Sequence, residues 1–213
     1  WGALYLALAH SQELQRMMVH SRHLERVNRE SELRALRYQL NPHFVFNALN
    51  SVSSLIIDRK NKKAEKLVDD LADYMRAVLT DGAEDMVAVE QEITQQVRYL
   101  EIERMRFPDR LHYFVNIDAT ANGWMIPALI IQPLIENAVK YGVSATDQPV
   151  NIIISAQKEG ERLSISVAND GRVKRVAGLA DDRATGTGTG LANIHDRLRA
   201  LYGQNASLKA LTS

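Results

Sequence analysis

Residues 40–50 read Leu-Asn-Pro-His-Phe-Val-Phe-Asn-Ala-Leu-Asn. From Ser11 to about Ile57 the chain carries a helical pattern with no glycine, and Pro42 is its single breaker. A proline inside a helix costs about 3 kcal/mol, because it lacks an N–H and its ring crowds the carbonyl four residues back. That carbonyl belongs to Tyr38, so the sequence predicts a kink just before His43. At roughly 100° per residue, His43, Asn47, Asn50 and Ser54 share one polar stripe. The neighbouring stripe, Leu36, Leu40, Phe44 and Leu55, is apolar. His43 is therefore expected at the edge of a buried face, open to the outside. A helical histidine by itself is more often a surface residue than a reactive one, so its meaning depends on the rest of the chain.

On the N-terminal side, Leu14, Met17, Ser21, Leu24, Asn28 and Ser31 follow a seven-residue repeat with a polar-rich seam. Residues 11–32 read as a signalling coiled coil, the alternative being a long solvated helix. Residues 1–9 (WGALYLALA) are apolar but fall short of the ~20 residues of a membrane span. They lack the charged start and cleavage site of a signal peptide. A buried helix end, the tail of a membrane helix and an interfacial segment all fit them.

On the C-terminal side, residues 58–63 (DRKNKK) form a polar turn. Ala64, Leu67, Leu71, Met75 and Val78 then make a second amphipathic stripe. Two helices joined by a short turn form an antiparallel hairpin with too little core to stand alone. Two hairpins make a four-helix bundle, which predicts a homodimer through residues 33–82. Residues 80–86 (TDGAEDM) form the best domain boundary.

From residue 87 to 213 helices and strands intermix. Residues 89–107 read as helix and 111–117 (LHYFVNI) as strand. Pro127 suits the first turn of a helix running to Tyr141. Residues 150–156 and 162–168 read as strands, 190–202 as helix, and 206–211 as the start of a last strand that the end of the chain cuts short. The fold class is α+β multidomain: a helical hairpin, then an α/β two-layer sandwich.

Composition narrows the partners. Lys+Arg and Asp+Glu both total 26, so no basic excess points to nucleic acid. The absence of cysteine excludes disulfides and thiolate metal sites.

Two segments of the second half carry chemistry. In residues 132–142 (QPLIENAVKYG), Glu136, Asn137 and Lys140 fall close on one helix face. An amide oxygen can ligate Mg²⁺ and a lysine suits phosphate oxygens, although a solvated polar face has the same appearance. The second segment runs from Asn169-Asp170-Gly171 to Gly186-Thr187-Gly188-Thr189-Gly190-Leu191. Alternating glycines before a helix let backbone N–H groups wrap a phosphate, and they also make flexible linkers. Asp170 at a strand end can accept a hydrogen bond from an exocyclic amine such as that of adenine. The loop lacks the Gly-Lys-Ser/Thr of a P-loop and the placement of a Rossmann fingerprint.

Taken together, LNPHFVFNALNS, IIQPLIENAVKYG, NDG and GTGTGLANIHDRL resemble, in order, the histidine box, N box and two glycine boxes of LytS/YehU-type sensor histidine kinases. The resemblance covers about residues 33–211. It implies a dimerisation and histidine-phosphotransfer bundle, followed by a Bergerat-type ATP-binding domain as in gyrase and heat-shock chaperones. It makes His43 the phosphoacceptor, with Asn47 orienting the imidazole or the incoming phosphoryl group. Asn137 would bind Mg²⁺, and Lys140 and Tyr141 would contact phosphates or a lid spanning residues 172–185. Asp170 and Gly171 would read adenine. Gly186, Gly188 and Gly190, with Thr187, Thr189 and Leu191, would hold the phosphates of ATP. The implied partners are a second copy of the chain and the aspartate of a response-regulator receiver domain. The implied location is the cytoplasmic side of a bacterial inner membrane, with residues 1–10 as the end of a transmembrane helix.

The chain departs from related patterns in three places. Larger kinase families place an acid directly after the phosphorylated histidine; here, as in the family resembled, that position is not acidic and holds Phe44, so either a base comes from elsewhere, with Glu136 a candidate, or base assistance is dispensable. The first glycine box lacks its later glycine, which is Val173. ATPase relatives carry a catalytic glutamate four residues before the N-box asparagine; here Pro133 stands there and cannot activate water. The alternatives to an autokinase are a non-catalytic nucleotide-binding scaffold and an ATPase, and Pro133 argues against the second.

Overall fold

The computed structural model describes residues 41–81, 86–171 and 187–209. The membrane-helix, coiled-coil and lid assignments, the kink before His43, and Gly186 lie outside the described residues. The described elements from His43 onward belong to one compact unit.

Helix α1 (Pro42–Ile57) starts on its proline, a position where the missing N–H would have had no helical partner. It ends in a Schellman turn. The Lys60 N–H donates to the Leu55 carbonyl at 2.8 Å, the Arg59 N–H donates to that of Ile56 at 2.9 Å, and Arg59 takes the left-handed conformation usually given to glycine. This turn sends the chain back as α2 (Asn61–Asp81). The buried residues of α2 are Ala64, Leu67, Leu71, Tyr74 and Val78, a 3.6-residue rhythm. Tyr74 takes the inward place that periodicity assigned to Met75, which is half-buried.

Strand β1 (Met86–Ala88) leads directly into α3 (Val89–Arg106). Strand β2 (Leu111–Ile117) follows, then a 3₁₀ turn and β3 (Met125–Pro127). β1 and β3 pair antiparallel, with Met86 opposite Pro127. Pro127 therefore ends a strand and does not open a helix. The N-box helix, α4 (Gln132–Asn137), begins five residues later with Pro133 in its first turn. It continues as a π-helix over Ala138–Val143, closed by the Ser144 N–H to Val139 carbonyl bond at 2.9 Å. π segments of this kind are often found at functional sites.

Strand β4 (Val150–Glu159) runs parallel to β2 and antiparallel to β5 (Arg162–Asn169), giving the order β2-β4-β5. Gly160 supplies the positive φ of the tight β4–β5 turn. Along β4, Val150, Ile152, Ile154 and Ala156 are buried while Ile153 is exposed, so one face of the sheet is covered. Helix α3 contacts β2, and the π segment contacts β4 and β5. The large buried side chains Ile93, Leu100, Leu111, Ile135, Ile152 and Ile154 form this core, each stabilising by about 1.5–3 kcal/mol. Helix α5 (Thr187–Tyr202) contacts α4 and buries Ile194. Residues 206–209 lie in no strand, contrary to the sequence expectation. The architecture is α+β.

Candidate functional site

The first cluster lies on α1. His43 is exposed, and the Asn47 side-chain nitrogen sits 3.2 Å from its Nδ1 and 3.3 Å from its Nε2. One helical turn separates the two residues, which is the spacing that brings side chains together on a helix. The amide lies almost equally near both ring nitrogens and can donate to whichever is unprotonated, so the contact holds the ring without selecting one nitrogen. The Ser51 hydroxyl in turn donates to the Asn47 carbonyl at 3.1 Å.

The next residue, Phe44, points the other way and is buried. Its ring stacks on Tyr99 of α3 and meets Tyr74 of α2 edge-on, with centroids 5.2 Å apart. Burial pushes both phenols well above their ordinary range, and the Glu136 carboxylate adds to both shifts. Glu136, at the end of α4, is half-buried and accepts from the Gln132 amide at 2.9 Å.

The second cluster forms where the π segment meets the end of β5. A Cβ at Gly171 would lie 2.7 Å from the Cα of Gly142, and a Cβ at Gly142 would lie 2.9 Å from the Asn169 Oδ1. At Gly171 the obstacle is backbone, so only glycine fits there; at Gly142 it is the Asn169 side chain, which would have to shift. Beside them the Asp170 carboxylate accepts from the Asn151 backbone N–H at 2.7 Å and from its side-chain amide at 2.6 Å. The Asn151 amide holds the Asp170 carboxyl below the usual carboxylate range. Asn151 and Gly142 thus belong to the site, although sequence reasoning assigned neither to it.

Asn137 is half-buried at the junction of α-helix and π-helix. The Lys140 ammonium lies 4.8 Å from the centre of the Tyr141 ring. The Tyr141 hydroxyl is buried and finds no hydrogen-bond partner among the described residues. Arg110 donates to the Val143 carbonyl at 2.6 Å and also to that of Thr146, tying down the exit of the π segment.

Helix α5 begins at Thr187, three residues before the start expected from sequence. Thr187, Gly188, Thr189 and Gly190 therefore form its first turn, whose N–H groups have no partner within the helix. A Cβ at Gly190 would meet Pro133 of α4 at 3.7 Å, an ordinary contact. Leu191 is half-buried. Among the described residues no group of three or more His, Cys, Asp or Glu could hold a metal ion.

Residues 31–111 match the family model described as histidine kinase. The sensor protein LytS of Staphylococcus saprophyticus is 35% identical over 188 residues, covering 85% of this chain and 32% of that protein. The sensor histidine kinase YpdA of Escherichia coli K12 is 34% identical over 192 residues, 88% of this chain and 34% of its own. The sensor histidine kinase BtsS of the same strain is 34% identical over 176 residues, 83% and 30% respectively. The chain spans about a third of the length of the curated relatives it matches. The solved structure of a bacterial phosphotransferase superposes with a TM-score of 0.43 and 13% identity over 78% of this chain and 86% of that one, a likeness too slight to bear on the fold.

Proposed function

We propose that this is the kinase portion of a two-component sensor, phosphorylated on His43: residues 31–111 match the histidine kinase family model, and most of the chain is similar to sensor histidine kinases. The observation that carries this reading is the contact of Gly142 with Gly171, which joins the end of the N box to the Asp170 carboxylate. Two segments distant in sequence pack backbone against backbone here, where a Cβ at Gly171 has no room, and make a cradle suited to a flat base. The fixed carboxylate beside it is an acceptor for an exocyclic amine.

The donor set fits ATP with Mg²⁺. The Tyr141 hydroxyl, without a partner among the described residues, and the adjacent Lys140 suit phosphate oxygens. The Asn137 amide oxygen suits Mg²⁺, which binds few protein ligands and takes the rest from phosphates and water. The first turn of α5, from Thr187 to Leu191, would supply backbone N–H groups to the phosphates. Bound ATP–Mg²⁺ would provide the phosphoryl group and part of the charge neutralisation that its transfer requires.

His43 provides the nucleophile through an unprotonated ring nitrogen. Asn47 orients the ring. Glu136 is the candidate to take up the imidazole proton. The phosphoryl group then passes to an aspartate of a response regulator. The fold of residues 87–213 would be the Bergerat type, and that of residues 33–82 a dimeric four-helix bundle. Support for the dimer comes from an exposed apolar stripe on the hairpin: Phe46, Leu49 and Ile56 on α1, Val68 and Leu79 on α2. The upstream sensor and its membrane anchor belong to the same proposal. Among the described residues no helix is long and apolar enough to cross a membrane.

The test is incubation with γ-labelled ATP and Mg²⁺. Acid-labile, base-stable label that is lost in His43→Gln supports autophosphorylation. Nucleotide binding without label favours a scaffold, and phosphate release independent of His43 favours an ATPase.

A further inference from the structure

Helix α4 has no side-chain cap at Ile131, the residue that precedes it. The short loop leading into it, residues 128–131, contains Leu129 at φ 60°, a conformation disfavoured for a branched L residue. Something must hold this loop. Its backbone N–H groups at Leu129 and Ile131 donate to the two carboxylate oxygens of Glu92, at 2.9 and 3.1 Å. Glu92 is 1% exposed and lies in the first turns of α3. Gln96, one turn later, donates to the same carboxylate at 3.4 Å. From the other side, Arg197 of α5 donates to the Ala128 carbonyl at 2.6 Å, and its positive charge acts on Glu92.

The loop is thus gripped by its N–H groups from α3 and by its carbonyl from α5. A carboxylate is suited to this place because two backbone donors need two acceptor oxygens. A glutamine offers one oxygen and sets an NH₂ group against the second N–H. Neither Glu92 nor Arg197 belongs to the cluster around Asp170. Resting on the kinase reading above, we propose that Glu92 and Arg197 are positioning residues for the nucleotide site: together they set the N-box helix that carries Asn137 and Tyr141 against the helix whose first turn holds Gly188 and Gly190.

The experiment uses the full chain and four proteins: unsubstituted, Glu92→Gln, Arg197→Gln and the double variant. A fluorescent ATP analogue reports affinity, hydrogen exchange reports the Leu129 and Ile131 amides, and thermal unfolding reports stability. Glu92→Gln should weaken nucleotide binding about tenfold, the loss of one charge-assisted hydrogen bond. It should speed exchange at one or both amides and leave the melting temperature within a few degrees, since a neutral side chain is easier to bury. The double variant should bind about as weakly as the weaker single variant, because the two residues act on one loop.

Unchanged affinity in folded Glu92→Gln, or weaker binding that only follows a lower melting temperature, overturns the proposal. If Glu92→Gln does not fold, Arg197→Gln decides, and unchanged affinity there overturns it too. An unsubstituted chain that binds no ATP analogue refutes the kinase reading itself. Normal binding by all four proteins refutes only the clamp.

Discussion

Phe44 and Tyr99 stack with their ring centroids 4.7 Å apart and their planes inclined by 29°. The first residue lies directly after His43, and the second lies midway along the helix that opens the α/β half of the chain. The same side chain that seats α1 therefore sets where His43 emerges. Because α3 also carries Glu92, one helix touches both the histidine segment and the loop that starts the N box.

This stack should register in a double-mutant cycle. Phe44→Leu and Tyr99→Leu each keep an apolar group, and their coupling energy should be about 0.5–1.5 kcal/mol. Phe44→Ala leaves a cavity and should cost about 3–5 kcal/mol. Urea unfolding measures both quantities, and a coupling near zero would mean that the rings merely adjoin.

Asp170 should behave as a carboxylate across the working pH range. Its folded value is depressed, so the stability its bonds to Asn151 contribute is present above the unfolded value near 3.9 and is lost only as pH falls through the lower folded value. Asp170→Asn should weaken adenine-nucleotide binding about tenfold, and the ratio of wild-type to variant affinity should stay flat from about pH 5 to about 8. Taking the ratio cancels titration of the nucleotide phosphates. A ratio that shrinks between pH 6 and 5 would refute the assignment.

Glycine substitutions should separate site from scaffold. Gly171→Ala forces the backbone away from Gly142 and should cost about 1–3 kcal/mol together with most nucleotide affinity. Gly160→Ala has open space around it but keeps φ at 65°, so it should cost about 1 kcal/mol of strain and leave affinity intact. Thermal unfolding and nucleotide titration of both variants provide the comparison.

Asn47 should affect rate and not binding. Asn47→Ala removes the amide beside both ring nitrogens of His43 and should slow label incorporation at saturating ATP by roughly tenfold, with nucleotide affinity unchanged. Parallel loss of affinity would show instead that α1 and the nucleotide cluster are coupled.

The exposed stripe on the hairpin predicts self-association. A Phe46→Glu, Leu49→Glu double variant should be monomeric by light scattering with its helical circular dichroism retained, because neither side chain is buried within the single chain. A variant that remains dimeric would place the interface elsewhere.

What the sequence determined by itself was local and periodic. Residues 111–117 were legible as a strand to the residue because LHYFVNI is rich in β-branched and aromatic side chains between turn signals. The buried stripe of α2 was legible from its spacing, except that Tyr74 and Met75 are adjacent and periodicity alone does not decide between them. The positions of the glycine-rich boxes and of Asp170 at a strand end could be read in the same way.

Tertiary structure decided what depends on a distant partner. β1 and β3 are three residues each, too short to show a period, and only their pairing makes Pro127 a strand end. The π segment over Ala138–Val143 leaves no mark in composition. The Gly142–Gly171 contact exists only once the N box and β5 are brought together. Glu92 reads in sequence as one more charge on a helix. Its role comes from backbone donors 37 and 39 residues away, because a buried carboxylate is tolerated only where folding delivers the hydrogen bonds that replace water.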